Sequence, residues 1–134
     1  MLLKDVRDFI AILGIAEDSH CYSGKMPNKQ NKSIGVYHLK SNRQPNIPMG
    51  GIKNSSYGIK GISILVHWTE DQIETEEAAN KLLNLLLINK NVTVNESTIK
   101  FILPSYDEPI SVDTDDAGIY EYVIECLFFY ERNN

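Results

Sequence analysis

The chain has 134 residues, of which 43 % are apolar and 23 % charged, and its formal net charge is −5. This composition is typical of a single soluble globular domain, so we expect one domain over residues 1–134. No apolar run approaches the roughly 20 residues of a membrane helix. The N-terminus carries Asp5 and Asp8 inside its apolar pattern, which does not fit a signal peptide. We therefore expect a cytoplasmic origin, with Cys21 and Cys126 as free thiols.

The charge is distributed unevenly along the chain. No Asp or Glu occurs between Ser19 and Thr69, where the basic residues give +7, while the remaining 6 basic and 18 acidic residues give −12. Such asymmetry is informative about binding partners rather than about fold. It favours either a nucleic acid on the basic segment or a second copy that brings its acidic part to that segment.

The first half of the chain predicts one helix and one short strand. Apolar residues spaced three and four apart predict an amphipathic helix over Leu2–Leu13, with Gly14 as its stop. The turn-rich stretch Ser23–Asn31 predicts a loop, and Ser33–Leu39 predicts a strand. Lys40–Ser56 has two prolines and no periodicity, so we expect a long loop with a functional role.

The second half predicts a strand, a helix, a hairpin and a final strand. Alternation in Tyr57–Trp68 places Ile62, Ile64, Val66 and Trp68 on a core face. A capping box beginning at Thr69 predicts a helix to about Ile88. The later predicted elements are a hairpin over Asn91–Leu103, a loop bounded by Pro104 and Pro109, and a last strand over Gly118–Glu131. This order predicts an α+β fold, with a largely antiparallel sheet of about four to five strands and two helices packed on it.

The aspartates before the last strand are a candidate metal site. From Asp113, the residues Asp115 and Gly118 fit the spacing of an EF-hand calcium loop, but Ala117 and Ile124 stand where ligands are needed. The sequence therefore favours a turn with local hydrogen bonds from Asp side chains over a metal site.

Histidine and cysteine residues give no sign of a catalytic or metal centre. The candidates lack ligand spacing and would have to converge from separate segments: His20, Cys21, His38, His67 and Cys126. A hydrolase would need a pocket where His67 or Cys21 meets a carboxylate. We expect no catalytic residue, no metal, no cofactor and no small-molecule substrate.

The predicted last strand carries apolar residues on both of its faces. One face has Tyr122, Ile124, Cys126 and Phe128, and the other has Glu121, Val123, Glu125, Leu127 and Phe129. A strand with one buried face normally keeps its other face polar. Either a helix covers each side of the sheet, or the second face meets another subunit. In the second case the interface consists of Glu121, Val123, Glu125, Leu127 and Phe129, with Lys25, Lys29 and Lys32 of a neighbour pairing with the glutamates.

Four stretches of the chain together resemble a known family. They are SGKMPNKQNKSIGVYHLK, SYGIKGISILVHWTED, IETEEAANKL and VDTDDAGIYEYVIE. They are similar to the small minor capsid proteins of tailed bacteriophages and prophages, a family regarded as tail-terminator-like.

The resemblance implies a virion structural protein of α+β fold at the head–tail junction. Such proteins typically assemble as hexameric rings on the end of the tail tube and meet head-completion proteins, with DNA passing through the lumen. The resemblance implies neither a catalytic residue nor a membrane. The alternative hypothesis is a small nucleic-acid- or ligand-binding module that uses the basic 19–69 segment.

Overall fold

The structure, a computed structural model, describes residues 1–26, 30–40 and 57–131. It contains two α-helices, α1 (Leu3–Leu13) and α2 (Gln72–Ile88), and a short 3-10 helix over Asp18–His20. The strands are β1 (Cys21–Ser23), β2 (Ser33–His38), β3 (Tyr57–His67), β4 (Val92–Val94), β5 (Ser97–Pro104), β6 (Ile110–Thr114) and β7 (Tyr120–Glu131). Lys29 and, apart from Lys40, the predicted loop of residues 40–56 lie outside the described residues.

The two helices begin and end close to where the sequence predicts. α1 ends at Gly14, whose φ of 79° is in the left-handed region that glycine adopts without strain. The cap of α2 is Asp71 rather than Thr69, because the Asp71 carboxylate accepts hydrogen bonds from the backbone N–H groups of Ile73 (3.0 Å) and Glu74 (3.2 Å). The predicted cap was therefore wrong by two residues.

Seven strands form one mixed sheet in the order β1-β2-β3-β7-β5-β4, with β6 also paired to β7. β1 and β2 are parallel, and the other pairs are antiparallel. The predicted α+β class is confirmed, but four to five strands was too few. The sequence missed β1 because it has three residues, and β6 because all its residues are exposed and show no burial alternation.

β7 is long because it has different neighbours along its two halves. On one side β3 pairs with it over its whole length, from Tyr57 opposite Glu131 to His67 opposite Glu121. On the other side β6 pairs with residues 120–123, and β5 pairs with residues 126–130. One strand therefore joins three others and forms the centre of the sheet.

The core lies between one face of this sheet and both helices. Phe9 of α1 packs edge-to-face on Phe128 of β7, with ring centroids 6.1 Å apart. The fully buried residues include Ile62, Ile64 and Val66, which confirms the core face predicted for β3, and Ala79, Leu82 and Leu86 of α2. Burial of apolar surface is the main stabilising term of such a layer.

β5 contains a bulge that changes which residues face the core. Ile99 lies opposite Tyr130 and Phe101 lies opposite Phe129, so Lys100 is an extra residue in the strand. Ile99 and Ile102 are consequently both buried, while Phe101 and Leu103 are exposed. The bulge thus presents an aromatic residue on the face away from the helices.

Hydrogen bonds join α1 to the turn between β4 and β5. The Asn95 side-chain amide donates to Asp5 (2.8 Å) and Asp8 (3.0 Å), and the Ser97 hydroxyl donates to Asp5 (3.3 Å). The hydrogen bond from Asn95, helped by Lys4 and Arg7, lowers the pKa of Asp8 to about 2 although partial burial opposes the shift. These bonds fix the helix against the edge of the sheet.

Candidate assembly surfaces

We call the side of the sheet away from α1 and α2 the open face. On β7 it carries Glu121, Val123, Glu125, Leu127 and Phe129, which the register places beside His67, Leu65, Ser63, Gly61 and Ile59 of β3. The prediction that these five β7 residues share a face is confirmed. Within the described residues both helices pack on the opposite face, so a helix on each side does not explain the second apolar face.

At one end of the open face, Glu121 is part of a buried polar cluster. Its carboxylate lies 2.9 Å from His67 Nδ1, and the Asp115 carboxylate lies 3.8 Å from the same nitrogen. His67 is completely buried and Glu121 is only 9 % exposed. Glu121 therefore has a partner within its own chain, and its predicted pairing with a neighbour's lysines stays a prediction.

The turn before β7 positions Asp115 for this cluster. The Asp115 carboxylate accepts hydrogen bonds from the backbone N–H groups of Ala117 (2.9 Å) and Ile119 (3.0 Å), and Gly118 has a φ of 83°. The predicted turn with local hydrogen bonds from Asp is therefore confirmed. Within residues 1–26, 30–40 and 57–131 no group of three His, Cys, Asp or Glu residues has the arrangement of a metal site.

The middle of the open face is covered by the chain itself. A Cβ at Gly35 would lie 2.8 Å from Met26 Cε and 2.9 Å from the Tyr37 ring, so both side chains pack over that glycine. A Cβ at Gly61 would lie 3.2 Å from Leu39 and 3.8 Å from Leu127. Leu127 is consequently only 6 % exposed in the single chain, and its predicted place in a subunit interface stays a prediction.

At the other end, which we call the aromatic end, apolar side chains reach solvent. The half-buried Phe129 ring stacks on Phe101 at 4.4 Å and lies 5.9 Å from the Tyr57 ring. Leu103, opposite Leu127 on β7, is exposed beside these rings. Ile110 is also exposed but lies apart from them, opposite the half-buried Val123 and close to Glu121. A cluster of exposed apolar residues on a small protein is a candidate surface for contact with another molecule.

Two of the predicted basic partners, Lys25 and Lys32, lie at the opposite edge of the sheet. Lys25 follows β1 and is exposed, and Lys32 precedes β2, with its ammonium 3.5 Å from the Glu74 carboxylate. The aromatic end is on the β5 and β6 side of β7, whereas β1 and β2 lie beyond β3. The structure therefore places these lysines and the aromatic end on different sides of the molecule.

The candidate nucleophile and base are buried. The Cys21 thiol donates to the Glu17 carbonyl at 3.4 Å, and burial raises the pKa of that thiol. Burial also raises the pKa of Cys126 to about 12. His67 does meet a carboxylate, as a hydrolase would require, but a fully buried imidazole is not accessible to a substrate. The observed pair is an internal contact of the folded chain.

Residues 9–132 match the family model described as bacteriophage tail terminator protein. The chain belongs to this family. Tail terminators are structural rather than enzymatic proteins, so the chain has a structural role in the phage tail and is a component of the virion. Family membership also implies contact with other phage tail or head proteins.

Two further findings accompany this assignment. No curated protein matched the chain. In the described part of this tail terminator family member, no helix is long and apolar enough to cross a membrane.

Sequence reasoning missed two features of these surfaces. Phe101 and Leu103 belong to the aromatic end, but their orientation depends on the bulge at Lys100. The pairing of His67 with Glu121 depends on the register of β3 and β7, which are far apart in sequence. The sequence held one indication of this pairing: His67 and Glu121 both lie on the predicted non-core faces of two long strands.

Proposed function

We propose that this protein forms a ring, with six copies, at the head–tail junction of a phage, where it is a minor capsid or tail terminator protein. The ring ends the growth of the tail tube and joins it to head-completion proteins, and DNA passes through its lumen. The observation that carries this proposal is the aromatic end of the open face, a group of apolar side chains left in solvent.

The two edges of the sheet offer different surfaces for contact between copies. The aromatic end is apolar, whereas the opposite edge carries Lys25 and Lys32. Lys29, the third predicted basic partner, lies outside the described residues. Contact between two different patches is heterologous, and repeated heterologous contact closes into a ring when the rotation allows it. Val123 and Phe129 contribute to the apolar contact. Glu121 and Leu127 support it from within their own subunit, because both are already buried.

Apolar contact dominates the proposed interface. Buried apolar surface contributes roughly 25 cal/mol per Å², whereas exposed ion pairs contribute about 0–1 kcal/mol each. A pair between Glu125 and Lys25 of a neighbour therefore orients the subunits more than it holds them together.

The apolar contact is tested by Leu103→Lys. Leu103 is 51 % exposed, so a lysine at this position is compatible with the fold but places a charge in the proposed interface. The matched control is Ile12→Lys, at a 70 % exposed apolar residue of α1 outside the aromatic end. Each variant is mixed with the tail-tube protein and examined by negative-stain electron microscopy.

We expect the original chain and Ile12→Lys to form rings that cap tubes, and Leu103→Lys to leave the tubes uncapped. Rings and capped tubes with Leu103→Lys at the frequency of the control would contradict the proposal.

The charge pairing is tested by exchange. Glu125→Lys and Lys25→Glu should each weaken ring formation at low salt, and the two changes together should restore it. The same ring yield for all variants at low and high salt would remove this pairing and leave the apolar contact as the basis of the ring.

The nucleic-acid alternative has its own measurement. Phosphate binding weakens steeply with salt, so duplex DNA is titrated at two salt concentrations. A ring component that only surrounds DNA needs no strong contact with it. The isolated chain should therefore bind duplex DNA weakly at both salt concentrations. Tight, salt-sensitive binding that is lost when Lys25 and Lys32 are replaced would favour the alternative.

A further inference from the structure

A groove lies beside β5, on the opposite side of that strand from β7. It has a volume of about 480 Å³ and is lined by Leu87, Lys90, Asn91, Lys100, Phe101 and Ile102. Leu87 and Phe101 are exposed, and Ile102 is buried at its base. One wall is thus the end of α2, and the other is the edge strand.

The groove exists because β4 is much shorter than β5. β4 pairs only with Ser97, Thr98 and Ile99, and the Asn91 N–H adds one bond to the Lys100 carbonyl at 3.0 Å. From Phe101 to Pro104, β7 is the only described strand that pairs with β5. The other edge of β5 therefore has no described strand beside it over these residues. An edge of this kind is a template for another strand, unless it is covered or made repulsive.

Two lysines give the groove a positive rim in a chain of net negative charge. Lys90 is exposed, and Lys100 lies 3.7 Å from the Glu131 carboxylate. Exposed ion pairs of this length contribute little, so a carboxylate from a partner can replace Glu131. The aliphatic stems of both lysines can lie along Leu87 and Phe101 while their ammonium groups face outwards.

From this arrangement we propose that the groove binds an extended acidic segment of another virion protein by strand addition to β5. Main-chain hydrogen bonds to the open edge provide affinity, apolar side chains of the segment contact Leu87 and Phe101, and carboxylates pair with Lys90 and Lys100. The inference rests on the proposed function, because it assigns a contact with a different protein to a ring component. The groove adjoins the contact between copies, because Phe101 belongs to both surfaces, but neither Leu103 nor Lys25 lines the groove.

Synthetic peptides test the groove without requiring the natural partner. The isotope-labelled chain is titrated with three short capped peptides: one alternates Val and Glu, one alternates Val and Lys, and one is the Val-Glu peptide with N-methyl groups that prevent strand pairing. Changes in backbone amide shifts give both the site and the affinity. The Val-Glu peptide should shift residues 87–91 and 100–103 and should bind at least about tenfold more tightly than either other peptide.

Substitutions in the chain sharpen the test. Lys90→Glu should weaken Val-Glu binding by about tenfold, whereas Lys81→Glu, the same charge change on an exposed part of α2 outside the groove, should have no effect. Glu131→Gln should strengthen binding by about twofold, because it releases Lys100. A destabilised fold would weaken binding, so a gain with Glu131→Gln cannot arise from unfolding.

Several outcomes would overturn the inference. These are no binding of the Val-Glu peptide, equal binding of the Val-Glu and Val-Lys peptides, or equal binding of the N-methylated peptide. A fourth is duplex DNA shifting the same residues more strongly than any peptide. Lys90→Glu should leave ring formation unchanged. A wrong inference about the groove is therefore detected in the peptide titration, and a wrong proposal about the ring is detected in the experiment with Leu103→Lys.

Discussion

The two faces of β7 differ in how completely they are covered. On the helix side, Tyr122, Ile124, Cys126 and Phe128 are all buried against α1, α2 and the neighbouring strands. On the open face, Glu121 and Leu127 are buried, whereas Val123, Glu125 and Phe129 are only half-buried. The first face therefore specifies the fold of the single chain, and the second leaves one end available to another molecule.

The largest expected difference between the faces is in the cost of removing an aromatic ring. Phe128→Ala should lower the free energy of unfolding by about 3–5 kcal/mol, because it leaves a cavity beside Phe9. Phe129→Ala should lower it by less than half as much, since its site is open and can collapse. Urea denaturation of both variants measures the difference, and equal losses would show that the open face is as essential to the fold as the core.

A second comparison concerns two glutamates on the open face. Glu121→Ala should cost about 1–3 kcal/mol, because it leaves the buried His67 without its hydrogen-bond partner. Glu125→Ala, at a half-buried position of the same strand, should stay within about 0.5 kcal/mol of the original chain. A Glu121→Ala variant as stable as Glu125→Ala would mean that the His67 pair contributes nothing to folding.

The smallest expected effect is a pH dependence on the helix side. The pKa of Asp8 is lowered from 3.8 to about 2, so its contribution is present above pH 4 and is lost as the pH falls towards 2. Because the carboxylate is partly solvated, the loss should be on the order of 1 kcal/mol. Thermal unfolding between pH 5 and pH 2 measures it.

Asn95→Ala serves as the matched variant for this pH dependence. It removes the hydrogen bond from Asn95 to Asp8, so the difference in stability between pH 4 and pH 2 should become smaller. If Asn95→Ala lost as much stability between pH 4 and pH 2 as the original chain does, the loss would come from other carboxylates.

The elements that the sequence predicts correctly are those with buried periodic patterns. α1, α2, β3 and β7 each bury a regular set of side chains, so local spacing is sufficient to place them. β6 buries no residue, and its place beside β7 depends on tertiary pairing. The shared face of Glu121 and Phe129 follows from alternation alone. The burial of Glu121 does not, because it requires the register with β3 and the turn at Asp115.

The extra residue at Lys100 resets the alternation of β5 partway along the strand. Ile99 lies before the extra residue and faces the core. In a regular strand the next core-facing residue would be Phe101, but after the bulge it is Ile102. Ile102 therefore keeps its place in the core, while Phe101 and Leu103 on either side of it are turned towards the open face. The single extra residue thus keeps the interior of this chain closed while the same strand offers two apolar side chains to a partner.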